Sequence, residues 1–111
     1  LDPAQPYAVK ERGLRLMAVA VPHGSNVGRI AAYMNDKDLA LKARDALQVI
    51  GSREARLALQ NHLGRSGEAM DVAIIDALAR IGHPDSVQPL TALLDSRSAA
   101  TRAAAMRALA P

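Results

Sequence analysis

The sequence predicts an all-α chain whose helices repeat in stacked pairs. Three observations lead there. The first is a recurrence. Asp45-Ala46-Leu47-Gln48-Val49-Ile50-Gly51 returns as Asp76-Ala77-Leu78-Ala79-Arg80-Ile81-Gly82, then shortened as Arg107-Ala108-Leu109-Ala110-Pro111. The three copies open at positions 45, 76 and 107, an even spacing that needs no insertion. A fixed period of that size marks an array of supersecondary units stacked on one another. The second is composition: 50% of the residues are apolar, yet Phe and Trp are absent and Tyr7 and Tyr33 are the only aromatics. Ala and Leu must then fill the core, which suits close helix–helix contact and argues against a β-sandwich. The third is the helical spacing of apolar residues inside every unit, punctuated by glycines and capping residues.

Residues 1–6 read as an extended lead-in, because Pro3 and Pro6 bias their predecessors away from helix. A first helix is predicted from about Tyr7 to Ala20, with Val9, Gly13, Leu16, Met17 and Ala20 on one face, and Pro22 stops it. A second is predicted over roughly 25–34, capped by Ser25 and carrying Val27, Ile30, Tyr33 and Met34 inward. Asp36 is placed to cap the third helix, which buries Leu39, Ala43, Ala46, Leu47 and Ile50 and ends at Gly51. Ser52 caps the fourth, with Ala55, Leu59, His62 and Leu63 inward. After the loop Gly64-Arg65-Ser66-Gly67, the fifth buries Met70, Ile74, Ala77, Leu78 and Ile81, and Gly82 closes it. His83-Pro84-Asp85 opens the sixth with proline at the first helical position, where its missing N–H does no harm. Ser86, Leu90, Leu93 and Leu94 face inward; Ser98 then caps a last helix with Thr101, Ala105, Ala108 and Leu109 inward.

Superposing the units preserves this register. Asp36, Gly67 and Ser98 share one slot, Ser52 and His83 another, Leu59 and Leu90 a third. The chain divides into a diverged repeat at about 7–35, repeats at 36–66 and 67–97, and a half repeat at 98–110, all in one domain. The stretches at 77–94 and 101–109 resemble the HEAT-repeat family, in particular the short bacterial HEAT-like repeats of the phycobilin-lyase type. The resemblance implies a right-handed α-α superhelix of about three helix pairs plus one terminal helix. It also implies an interaction scaffold whose second helices line the concave side. Tetratricopeptide and ankyrin repeats fit worse, for want of the large aromatic slots of one and the Thr-Pro-Leu-His element of the other.

Chemistry is hard to find along the chain. His23, His62 and His83 are followed by Gly, Leu and Pro, so the His-Glu ligand pairs of HEAT-like di-iron hydroxylases are missing. His62 falls in a core slot and His83 in a capping slot. Gly64-Arg65-Ser66-Gly67 lacks the Lys-Ser/Thr of a phosphate loop, and Asp36 with Asp38 reads as a cap plus a first-turn acid. No catalytic residue, cofactor site or metal site is assigned, and the chain is expected to be non-enzymatic. Net charge is +3, but its sign alternates: residues 67–96 sum to −4 between basic flanks. Such a pattern disfavours a continuous nucleic-acid stripe, and phosphate contacts to nucleic acid, or a role as accessory domain of a larger enzyme, stand as alternatives. The longest uncharged apolar run, Leu16 to Pro22, is far too short to cross a bilayer. With no cysteine, compartment stays open, the cytoplasm favoured over the periplasm or secretion.

The outward column of the second helices is the candidate partner-binding surface: Gly24, Gly28 and Ala31, then Arg53, Leu57, Gln60 and Asn61, then Gln88 and Thr91. Its occupant is expected to be another protein or another domain of the same polypeptide. The last helix adds an expectation of its own. Ala99, Ala100, Ala103, Ala104, Met106 and Ala110 leave it smooth, with only arginines for charge. The chain also opens at Leu1 rather than Met. The polypeptide is therefore expected to continue beyond Pro111, or this face to pair with another copy.

Overall fold

Two glycines in the left-handed region punctuate the chain. Gly51 has φ 61° and Gly82 φ 68°, and each donates its N–H to the carbonyl four residues back, Leu47 and Leu78. A side chain at such a φ would push its Cβ against the backbone, so glycine ends these helices without strain. The computed structural model describes residues 24–111, and the regular elements among them are all helical: α1 (Gly24–Ala32), α2 (Ala40–Ile50), α3 (Arg53–His62), α4 (Glu68–Ile81), α5 (Val87–Ala92) and α6 (Ala99–Leu109). The helix expected at 7–20 and the prolines before it lie outside the described residues. The α-helical solenoid anticipated from the repeat spacing is the observed architecture.

The first helices of successive units, α2, α4 and α6, pack side by side in one layer, with α4 in the middle. α1 lies against α2 and α3, and each connection folds the next second helix back onto that layer. The core is one cluster running from Val27 to Ala104. Ile30, Leu39, Leu47, Leu59, Ile74 and Leu78 are all buried in it. Ile50, Leu63, Ile81, Leu93, Ala108 and Leu109 pack on its rim, half-buried.

Several boundaries differ from the sequence-based expectation. The side chain of Ser25, expected to cap α1, lies outside the described residues, and α1 is described from Gly24. Its far end tightens into a 3₁₀ turn, Tyr33–Asn35, as helix ends commonly do. Asp36 does not cap α2: its Oδ1 accepts the N–H of Asp38 at 2.9 Å, holding residues 37–39 in a turn, and the helix starts at Ala40. An aspartate that bonds to the backbone two residues on favours that turn over a helical first turn. α5 is cut short between two 3₁₀ turns, Pro84–Ser86 and Leu93–Asp95. Pro89 lies inside it, and its missing N–H and its ring both work against a continuous helix. Ser52, His83 and Ser98 do cap, accepting N–H groups of Ala55, Asp85 and Thr101 at 3.2, 3.0 and 3.1 Å.

Burial of apolar side chains extends beyond the inward stripes at two positions. Ile75 is fully buried, and so is Ala104, which periodicity alone places on the smooth outer face of the last helix. Both follow from position in the layer. A helix with neighbours on two sides buries more than one stripe, so a single-stripe count falls short.

Leu78→Ala should lower the stability to urea by about 2–5 kcal/mol, because the cavity would open where α4 meets its neighbours. Gly82→Val should cost about 1–2 kcal/mol through the forced left-handed φ alone. A built Cβ there meets nothing closer than the Ala79 carbonyl at 3.6 Å, so steric crowding adds little.

Candidate functional site

The second helices present the candidate surface, and small side chains decide how closely they sit. Between α1 and α3 the facing residues include Gly28, Ala31 and Ala58. They leave a shallow groove of about 340 Å³, lined also by Asn61 and Arg65. Between α3 and the turn leading into α5, a second groove of about 450 Å³ has Arg53, Leu57 and Gln60 on one wall and Pro84 and Gln88 on the other. Leu57 is 42% exposed, an aliphatic side chain among polar ones.

Two polar links bridge this second groove. Arg56 is only 7% exposed; its Nη1 donates to the Gly51 carbonyl at 2.9 Å and its Nη2 to Asp85 Oδ2 at 3.4 Å. Gln60 Nε2 donates to Ser86 Oγ at a long 3.5 Å. Asp85 in turn starts the α5 segment, its N–H bonded to His83 Nδ1, which assigns the imidazole proton to Nε2. The groove thus sets two arginines against one carboxylate at the N-terminal end of α3. Helix N-termini already favour negative charge, so an approaching acidic group meets attraction from both sources. Arg56 is absent from the sequence-based column. A signal for it exists: it sits directly after buried Ala55 and shortly before buried Leu59, on the inward stripe.

The structure therefore brings Arg53, Leu57, Gln60 and Gln88 together in one groove, and Gly28, Ala31 and Asn61 in the other. Thr91 lines neither, and its exposed hydroxyl donates to the Val87 carbonyl at 2.7 Å within its own helix. Gly24 opens α1, and its surroundings lie outside the described residues.

His62 closes the end of α3 from inside. Its Nε2 lies 2.7 Å from Ser66 Oγ, and the ring is 5% exposed. Burial lowers its pKa from the ordinary 6.5, and the Arg65 charge lowers it further, while Asp71 opposes both. Among the described residues no three His, Asp or Glu side chains gather as a metal site, and no helix is long and apolar enough to cross a membrane.

The family model of HEAT repeats matches residues 26–110. The chain belongs to the HEAT-repeat family. No curated protein and no solved structure matches it. HEAT repeats are commonly protein-interaction modules, and the family is generally a non-enzymatic scaffold. In this HEAT-repeat chain, the capping residues and inter-repeat links that build the stack also shape the two grooves.

His62 gives the stack a pH dependence of known sign. A lowered folded pKa means the unfolded chain takes up the proton more readily. Its contribution is fully present above 6.5 and is lost as pH falls through the lowered value. Urea melts on both sides of that window should show a loss on acidification that is smaller in His62→Leu.

Proposed function

We propose that this HEAT-repeat chain is a non-enzymatic scaffold that binds another protein, or another domain of its own polypeptide, on the face of α1, α3 and α5. The carrying observation is the second groove: half-exposed Leu57 flanked by Arg53, Gln60 and Gln88, over a floor held by Arg56. Interaction surfaces combine an apolar anchor with a rim of hydrogen-bonding groups, and arginine is enriched among the residues that matter most. The neighbouring groove, walled by Gly28 and Ala31, suits a helix that must approach closely. The short, even repeat, opening at 45, 76 and 107, is the feature that supports the short bacterial, phycobilin-lyase-type branch of the family.

Capture by tagged protein from native lysate tests the face when run with matched variants. Leu57→Arg, in the groove, should lose what the wild type captures, whereas Val49→Arg, on the exposed side of α2, should retain it. Equal capture by all three would remove the second-helix face from consideration. A duplex DNA titration belongs alongside. It should give no more than non-specific affinity, of about 10⁻⁴–10⁻⁶ M near physiological salt, weakening steadily as salt rises. Tight, sequence-selective binding would put nucleic acid first.

A further inference from the structure

One slot of the second helices holds a residue that its neighbours along the stack do without. In the column that puts Gly28, Leu57 and Gln88 in one slot, the residues just before them are Val27, Arg56 and Val87. Val27 is buried in that slot with no polar group at all, yet in the middle unit a guanidinium is only 7% exposed. Burying that charge costs free energy, and a valine would pack there without it. Breaks of this kind in an otherwise consistent pattern gather at functional sites.

The guanidinium is also incompletely used. Of its five N–H donors, the one on Nε finds no acceptor. Nη1 is anchored on the Gly51 carbonyl at 2.9 Å, but Nη2 reaches Asp85 Oδ2 only at 3.4 Å, and that carboxylate is 60% exposed. A well-placed carboxylate sits closer to an arginine fork, at about 2.7–2.9 Å. So exposed an ion pair is held weakly, and Asp85 can turn into water at little cost. The Gly51 contact would keep the guanidinium in place when it does.

The surroundings narrow the anion that would replace it. Exposed Arg53 lines the same groove, Leu57 and Pro84 give it an aliphatic wall, and Gln60 and Gln88 supply amides. Gln60 is itself loosely held, at 3.5 Å from Ser86 Oγ. Along the whole face, α1, α3 and α5 carry Arg29, Arg53 and Arg56 against Glu54 alone. A nucleic-acid strand is best held by a longer basic track with rings for its bases to stack on. Among the described residues no aromatic side chain lines this groove. An aliphatic wall beside two arginines and two amides suits a peptide better.

We propose that the Leu57 groove takes an acidic peptide segment, with an aliphatic side chain against Leu57 and Pro84 and a carboxylate that displaces Asp85 from Arg56. The proposal rests on the second-helix reading and adds the chemistry of the occupant. Asp85 is then a built-in competitor, since the partner's carboxylate binds only as the chain's own one leaves.

Selection of a displayed library of random short peptides against the intact chain supplies the probe. Enriched peptides should pair Asp or Glu with an aliphatic residue and should be lost with Leu57→Arg. Fluorescence anisotropy on one enriched peptide then reads the two exposed charges, in variants whose helicity and melting match the wild type. Arg53→Glu should weaken binding at least about tenfold, because a like charge then faces the peptide. Asp85→Asn should tighten it about two- to fivefold, the range of an exposed ion pair. Raised salt should weaken the wild-type complex. Unchanged or weaker binding in Asp85→Asn would make Asp85 a structural link and overturn the displacement. Enriched peptides without acids, or no Leu57-dependent enrichment, would overturn the proposal outright, and so would duplex DNA that displaces the peptide at physiological salt. Lysate capture separates the two readings. If capture depends on Leu57 while the selected peptides carry no acid, the second-helix reading stands and this one falls; if capture ignores Leu57, both fall.

Discussion

α4 has to be covered on two sides, and the rest of the structure follows from that need. Ile74, Ile75, Ala77 and Leu78 occupy adjoining positions of one helix, and none keeps more than 1% of its surface. No single neighbour can hide such a spread, so α2 must take one flank and α6 the other. Burying side chains of this size stabilises by roughly 1.5–3 kcal/mol each. No isolated helix pair could supply that cover. Stability of this kind belongs to the interfaces between units more than to any unit, as expected of a one-dimensional stack.

Polar links add position where the aliphatic core adds stability. Arg56 is buried with its Nε unpartnered, and its contact to Asp85 is long and meets a largely exposed carboxylate. A pair like that contributes little net free energy, given the cost of desolvating the guanidinium. Its effect is geometric. By tying Gly51 to the start of α5, it sets how far α5 stands from α3 and so how wide the Leu57 groove opens. Arg44 acts similarly in the first-helix layer, donating across from α2 to the Ala73 carbonyl of α4 at 3.0 Å. The grooves are by-products of how successive units are fastened, which is why their chemistry varies along a stack whose core is regular.

A fold of this type does not name its ligand; the exposed slots do. The side face of the second helices mixes Leu57 with amides and arginines.

The even recurrence, the glycines at 51 and 82 and the serines at 52 and 98 determined the fold class, the register and most of the core before any coordinates. They could do so because caps and inward stripes are local: a helix of 3.6 residues per turn repeats its face within a few positions. Locality is also where the reading stopped. Ile75 and Ala104 are buried by helices a whole repeat away in sequence, so no pattern within their own helices reports them. Arg56 needed Asp85 beside it to be recognised as a link. The candidate column was chosen by slot, yet only packing between helices sorted most of it into two grooves and left Thr91 outside. Which side chains share a groove depends on how far apart neighbouring helices stand, and that distance is set by contacts between units, which only the tertiary structure decides.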